Sequence, residues 1–508
     1  MSTDTHTTTI EILPAVADFL QRKHQLLIDG RWVPAQSGES FATLNPANGE
    51  TLCCVAAGDA VDVDAAVTAA QRALPGWAAL MPAQRERLLH RFADLMEQHK
   101  EELAQLETLD NGKPFRLAFN VDVNVAIGQM RYYAGWPTKL TGETYAVSSP
   151  GFHVYTRREP VGVCAAITPW NYSLVMAAQK IGPALAAGNT LVLKPAEQTP
   201  LTALRLGELA LEAGIPPGVL NVVTGFGHTA GAALSQHPGV AKVAFTGSTE
   251  VGKAIQRAAA DNLKRVSLEL GGKSPLILFD DVENLDAAAE AALWAIFSNS
   301  GQNCVAGSRL FVQAGIYDAV LARLATRTQQ LVVGPGLDTA TDLGPLISAE
   351  QLARVQRYIE AGKRSGATLV TGGKRLGGRL ASGYFLEPTI FTQVADDTAI
   401  ACEEIFGPVL SVFRFKDEEE VIMRANALPF GLAAGVWTQH LGRAHRMAAR
   451  LKAGVVWINT YDWFDPAVPF GGIGESGIGR ELGQQVIEAY TELKSVWVKV
   501  DDGIHITQ

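Results

Sequence analysis

The sequence predicts an α/β protein whose sheets are largely parallel and covered by helices on both faces. Two observations carry this. From Pro160 onward, short apolar runs alternate with helical segments, the strand–helix–strand rhythm of a buried parallel sheet. A second alternation of the same kind begins near Pro275 and runs toward the C-terminal end. Size agrees: 508 residues, 47% hydrophobic and 19% charged, suit about two to four domains of ordinary soluble composition.

In chain order, "VDAAVTAAQRAL" and "RERLLHRFADLMEQHKEELAQLETL", between Asp62 and Leu109, space apolar residues at three and four, which predicts helices. "TGETYAVSSPGFHVYT" (Thr141 to Thr156) reads as two strands around a Ser-Ser-Pro-Gly turn. "VGVCAAIT", "TLVLKP", "VLNVVTG", "KVAFTGS" and "RVSLELGG" read as buried strands, separated by segments such as "LTALRLGELALEAGI". "SPLILF", "SRLFVQ", "VLSVFRF", "AAGVWT" and "GVVWINT" repeat the pattern. "LKSVWVKV" (Leu493 to Val500) alternates like a strand without a sequence neighbour. It can pair with the early hairpin or with the sheet edge of another subunit.

A net charge of −9 argues against nucleic acid or an anionic membrane as the main partner. No apolar run nears the roughly 18 residues of a membrane helix. The opening "MSTDTHTTTIEIL" has no basic stretch followed by an apolar block, so a cytoplasmic location with reduced thiols is expected. The five cysteines, Cys53, Cys54, Cys164, Cys304 and Cys402, have no framework spacing, and no metal ligands cluster near Cys304. No metal is expected, and the other four cysteines read as structural.

Dinucleotide signals are individually weak. "GFGHTAG" (Gly225 to Gly231, with Gly227 as its second glycine) only approximates the glycine fingerprint and fits an ordinary turn better. "KVAFTGSTEVG" ends a strand at Phe245, and Thr246, Gly247 and Ser248 then open a helix. That geometry suits a pyrophosphate and equally a plain N-cap. Lys194 and Glu197 in "LVLKPAE" fall past the carboxyl end of a strand, where parallel sheets bind ligands; a solvated loop reads the same way.

Three residues point to chemistry. Asn171 in "TPWNYS" sits between Trp170 and Tyr172 after a buried strand, and Glu269 ends an apolar run before two glycines. Burial would raise the Glu269 pKa and suit it to general-base work, although a strand-end ion pair fits as well. Cys304 closes the polar stretch "FSNSGQNC". A thiolate there could attack a carbonyl, with Asn171 holding the oxyanion.

Together these stretches resemble the aldehyde dehydrogenase superfamily. "FSNSGQNC" matches its F-x-N-x-G-Q-x-C pattern and "LELGGKSP" is similar to its glutamate signature. "TPWNY", "LKPAEQTP", "FTGSTEVG", "EEIFGP" and "PFGGIGESGIGRELG" follow in the family's order, from about Leu27 to Val500. The resemblance implies a Rossmann-like NAD-binding domain (residues 1–139 and 160–271) and an α/β catalytic domain (272–480). It also implies a β oligomerisation arm (140–159 and 481–508) and a homodimer or homotetramer.

It further implies that Cys304 is the nucleophile, that Asn171 and the Cys304 N–H hold the oxyanion, and that Glu269 activates water to hydrolyse a thioester. Lys194 and Glu197 match adenine-ribose contacts, Ser248 a pyrophosphate contact, and Glu404 and Phe406 contacts around the nicotinamide ribose. Thr168, Pro169, Trp170, Gly227, Phe245, Thr246, Gly247, Leu270 and Gly271 complete the implied cofactor set. Glu197 favours NAD over NADP, and Lys194 leaves some NADP use open.

The implied substrate tunnel is Val125, Tyr172, Gln179, Asn303, Val305, Trp463, Phe464 and Phe470. Its aromatic walls favour a small-molecule aldehyde of apolar or aromatic character, as in phenylacetaldehyde-type and broad-range bacterial members. An amino-aldehyde of the betaine aldehyde kind also suits aromatic walls. Ser173 stands where the family often has proline, Gln179 where tryptophan is common, and Gly474 where lysine is frequent. The alternatives are a CoA-acylating dehydrogenase and a non-catalytic, crystallin-like scaffold.

Overall fold

A computed structural model describes residues 8–500. The ends of the expected first unit and of the expected arm, residues 1–7 and 501–508, lie outside the described residues. All five apolar runs between Val163 and Glu269 become strands of one eight-stranded sheet. Its order is Arg31–Val33, Leu26–Ile28, Leu220–Val222, Thr190–Lys194, Val163–Ile167, Lys242–Thr246, Arg265–Glu269, Gly477–Ile478. The five central strands are parallel.

These strands are apolar throughout because both faces are covered. Cys164, Ala166, Leu191, Leu193 and Ala244 share a core with the helices Ser173–Ala186 and Leu201–Glu212. The alternate residues Val163, Ala165, Val192, Val243 and Phe245 share another with the helices Ala60–Ala79 and Thr249–Ala259. The period of two along a strand thus divides one run between two cores.

The strand order reverses between Val163–Ile167 and Lys242–Thr246, since the chain builds outward from Val163 on one side and then resumes on the other. Such a switch point opens a crevice at the carboxyl ends of the strands. Thr168–Asn171 and Gly247–Ser248 lie there.

A second sheet has the order Thr368–Thr371, Thr389–Thr392, Val409–Phe415, Arg309–Gln313, Pro275–Leu278, Ala433–Trp437, Val455–Ile458. It is parallel except at Thr368–Thr371. The helical stretch after Asp62 resolves into Ala60–Ala79, Pro82–Gln98 and Lys100–Asn111. Asp59 caps the first, accepting from the Val61 N–H at 2.8 Å, while Asp62 accepts from the Asp59 N–H at 3.1 Å. Pro82 opens the second.

Two features depart from a simple division of the chain. The short strand Gly477–Ile478 lies within the 272–480 stretch, yet it closes the first sheet, pairing Gly477 with Glu269. That crossing lays the segment around Arg480 and Glu481 against the Glu269 strand. The orphan C-terminal strand, Thr491–Lys499, pairs antiparallel with Phe152–Pro160 over its whole length, and Thr144–Tyr145 pairs on the far side. Its outer edge pairs with nothing among the described residues, and Leu493 and Trp497 are 55% and 58% exposed.

Candidate active site

The polar stretch before Cys304 is a tied loop. After the helix Leu285–Phe297, Asn299 and Ser300 adopt left-handed backbone (φ 49° and 55°), followed by Gly301 at φ 72°. A side chain on Gly301 would run into the Gly407 carbonyl, so only glycine fits there. Ser300 Oγ donates to the Gly344 carbonyl at 2.7 Å, and Gln302 Oε1 accepts from the Ile347 N–H at 2.9 Å. The side chains of Asn299, Ser300 and Gln302 thus hold backbone, and Cys304 is left at the end of the loop, half-buried.

The strand Val163–Ile167 delivers Asn171. Its Nδ2 donates to the Gln302 carbonyl at 3.0 Å, which links it to the cysteine loop and leaves its second amide proton uncommitted. The Asn171 carbonyl accepts from Asn299 Nδ2 at 3.0 Å and from Lys113 Nζ at 2.9 Å. Lys113 is fully buried and also pairs with Asp122 and, at 3.3 Å, with Glu107. Its ammonium lies 4.3 Å from the Tyr172 ring centre. Ser173 belongs to the same network: its buried hydroxyl donates to Glu107 at 2.9 Å, and the residue is not part of the cavity wall described below.

Burial pushes the Asp122 carboxyl up to about 6, against the pull of Lys113. Lys113→Met is expected to destabilise the fold by about 3–5 kcal/mol, because it strands buried carboxylates. Asp122 then titrates higher still. A folded-state pKa raised above the unfolded value means ionisation opposes folding, so the penalty shrinks as pH falls below that pKa. Urea melts at about pH 8 and about pH 5 check this; an equal penalty at both sinks it.

Glu269 ends the strand Arg265–Glu269 and is 4% exposed, with no well-formed hydrogen bond to either carboxyl oxygen and the Gly472 N–H as the nearby main-chain donor. Burial first and the Glu481 carboxylate second push its pKa well above the usual range, while Lys180 and Arg480 act the other way. Lys180 and Glu481 form a buried pair at 3.0 Å. Burial, together with Glu404, Asp462 and Glu269, likewise pushes the Cys304 thiol up. Apolar walls and the neighbouring carboxyl groups of Glu404, Asp462 and Glu269 thus oppose formation of the thiolate.

Cys304, Asn171 and Glu269 open on one cavity of about 240 Å³. Its wall also takes Pro169, Trp170, Thr246, Gly247, Ser248, Leu270, Gly271, Glu404 and Phe406 from the implied cofactor set. Glu404 Oε1 accepts from the Gly272 N–H at 2.9 Å, and burial lifts its carboxyl to about 7. Phe406 is held in left-handed backbone (φ 59°), edge-on to Trp170 at 5.2 Å. Sequence reasoning missed what holds it: Gln351 and Arg354, on one face of the helix Ala349–Arg364, donate at 2.7 Å to the carbonyls of Phe406 and Glu404.

Five implied cofactor residues lie off that wall. Lys194 Nζ pairs with Glu197 at 2.9 Å past the strand end. Thr168 is buried with its hydroxyl unpartnered, and Gly227 is exposed. Phe245 is corrected to a core residue: strand alternation turns its ring inward, under Gly247.

Of the implied tunnel residues, Gln179 and Phe470 line the cavity, joined by Met176 and Leu432. Met176 stands three residues before Gln179, a helical spacing that would have predicted it. Val305 is corrected to the core, where its carbonyl accepts from the Tyr461 hydroxyl at 2.7 Å. Asn303 donates to Asp462 at 3.0 Å, Tyr172 lies under Lys113, and Val125 is half-buried off the wall. Trp463 and Phe464 are exposed, Phe464 packing edge-on against Phe470 at 5.3 Å. Among the described residues, no group of three or more His, Cys, Asp or Glu side chains could hold a metal, and no helix is long and apolar enough to cross a membrane.

Residues 32–496 match the aldehyde dehydrogenase family. The chain is 52% identical over 496 residues to the Bacillus subtilis (strain 168) protein DhaS, covering 97% of this chain and 99% of that one. It is similar in structure to a Bacillus cereus aldehyde dehydrogenase solved as an NAD+ complex, with TM-score 0.95 and 49% identity, covering 97% and 100% of the two chains. It is also similar to the P. syringae indole-3-acetaldehyde dehydrogenase AldA, solved as a cysteine-to-alanine mutant with NAD+ and IAA, with TM-score 0.93 and 46% identity, covering 95% and 98%.

Proposed function

The chain belongs to the aldehyde dehydrogenase family, and from that premise we propose that it oxidises an apolar or aromatic aldehyde to the carboxylic acid with NAD, through covalent intermediates on Cys304. One observation carries the reading: a cysteine, an amide with a free proton and an unpartnered buried carboxylate converge on one cavity. The wall suits a dinucleotide. Ser248 Oγ accepts from the Val251 N–H at 3.3 Å and keeps its own proton to donate at a helix start. The Thr246 hydroxyl is buried and unpartnered, and a side chain on Gly271 would strike Glu404. Glu197 beside Lys194 supports NAD over NADP, since a carboxylate accepts from ribose hydroxyls and repels a 2′-phosphate.

The Cys304 sulfur attacks the aldehyde carbon, its proton leaves to the buried base or water, and a thiohemiacetal forms. The free Asn171 amide proton and the Cys304 N–H hold the oxyanion. Bound NAD supplies the hydride acceptor. Loss of hydride from the substrate carbon leaves a thioester on Cys304. Glu269 then takes a proton from water, the water oxygen bonds to the acyl carbon, and the C–S bond breaks to restore the thiol. The balance is aldehyde, NAD+ and water in, and carboxylic acid, NADH and a proton out.

The test mixes protein, NAD and phenylacetaldehyde or a medium-chain alkanal, and follows NADH absorbance. Turnover without CoA is expected; NADH only when CoA is added sinks the hydrolytic role of Glu269. The open edge of Thr491–Lys499, with Leu493 and Trp497 exposed, supports assembly as a dimer or tetramer. A monomer by light scattering sinks that part.

A further inference from the structure

The main-chain carbonyl of Asn171 is the meeting point of a wholly buried ion cluster. It accepts from Lys113 Nζ at 2.9 Å and from Asn299 Nδ2 at 3.0 Å, while Asn111 Nδ2 holds the preceding Trp170 carbonyl at 2.7 Å. Lys113 is pinned in turn by Asp122 and, at 3.3 Å, by Glu107, and none of these three side chains has any exposed surface. Glu107 is fixed by the Ser173 hydroxyl at 2.9 Å and the Thr202 hydroxyl at 3.2 Å. Backbone irregularities bring the partners together. Gly112, at φ 90°, ends the helix Lys100–Asn111, and a side chain there would strike Pro46 and Pro345. Asp122 closes a π-helical turn, Ala118–Asp122, a distortion that recurs at functional sites.

Such a cluster is a poor device for stability alone, because apolar side chains of the same volume often give an equal or better fold. Its use lies in what it touches. The Asn171 side chain is tied to the cysteine loop through the Gln302 carbonyl, so the direction of its second amide proton follows from where the Asn171 main chain is set. We infer that Lys113 is a positioning residue for the oxyanion: with Glu107 and Asp122 it locks the Asn171 main chain so that the free amide proton meets the developing negative charge. The inference rests on the reading of Asn171 as the oxyanion donor. Preorganised donors are effective because they need no rearrangement when charge develops. A buried ammonium fixed between two carboxyl groups holds a carbonyl more firmly than a neutral donor does.

Lys113→Met alone strands two carboxyl groups, so the test neutralises the cluster as a unit, combining Glu107→Gln, Lys113→Met and Asp122→Asn. The readout is the rate of first-turnover NADH formation at saturating NAD, with whichever of phenylacetaldehyde and a medium-chain alkanal the wild type oxidises faster. That rate is expected to fall about tenfold to a hundredfold, with NAD affinity and aldehyde half-saturation little changed, because the oxyanion exists only after attack. In an Asn171→Ala background the same three substitutions should change the rate by less than about twofold, since the donor they position is gone. Asp122→Asn by itself keeps the Lys113–Glu107 pair and serves if the combined variant does not fold. A loss of about fivefold or more, again absent in Asn171→Ala, is expected of it. Full rate in either folded variant overturns the inference, as does an equal loss in both backgrounds, the mark of a purely structural role. Both outcomes leave the parent reading intact. Asn171→Ala turning over as fast as wild type, or no NADH from wild type with either aldehyde, overturns that reading and the inference with it.

Discussion

Cys304→Ala is expected to end NADH formation from every aldehyde the wild type oxidises, with kcat falling on the order of 10⁵ or more. Losses of that size follow removal of a nucleophile on which every later step depends. Nothing else in the cavity wall can replace it. Asn171 is an amide, and Glu269 lies at the end of another strand. The loss should be chemical and not structural. The sulfur's one side-chain hydrogen-bond contact among the described residues is a long one, to Asn303 Oδ1 at 3.9 Å, and the loop is held by Ser300 and Gln302. Retained NAD binding and an unchanged melting curve are therefore expected in the variant. Wild-type turnover should also rise with pH through neutrality, because burial and nearby carboxylates raise the thiol and its proton must leave before the C–S bond can mature. Turnover in Cys304→Ala above about a hundredth of wild type would end the covalent proposal.

Legibility from sequence followed how each residue's environment constrains its type. The run "VCAAI" was readable because a strand buried on both faces has no choice but apolar residues. The strands Leu26–Ile28 and Gly477–Ile478 were not, being too short to show a period. The stretch from Glu107 to Lys113 reads as the solvated end of a helix, yet all of it is buried. Its charges satisfy one another and the Asn171 carbonyl through partners distant in sequence, such as Asp122 and Thr202. Glu269 and Cys304 could be named from local pattern and resemblance. The direction of the thiol's shift could not, since Glu404 and Asp462 reach it only through the fold. Gln351 and Arg354 carried no signal at all, because they act through backbone carbonyls of another segment.

Glu269→Gln should separate the two halves of the proposed reaction. Hydride loss needs Cys304, whereas hydrolysis needs a base, so the variant is expected to give a stoichiometric burst of NADH and then stall. Steady-state kcat should fall by about 10²–10⁴, the usual contribution of a positioned general base. The pH dependence carries a sign. Burial and then Glu481 raise the Glu269 pKa, so the acid form persists to higher pH. The base form is lost as pH falls through that raised value, and wild-type deacylation declines with it. The Gln variant, with nothing to titrate there, should lack that acid limb. Stability should move the opposite way. A carboxyl whose folded pKa lies above its unfolded value resists ionisation, so the native state loses stability as pH rises through the folded pKa. Gln is a neutral isostere, so the slow variant is expected to melt later than wild type above neutrality and no later in acid. A variant that lacks the burst, or that melts earlier at alkaline pH, would show that Glu269 is held there as a buried structural group. Gain in stability with loss of turnover is the pattern expected of a carboxylate kept in an unfavourable place for its chemistry.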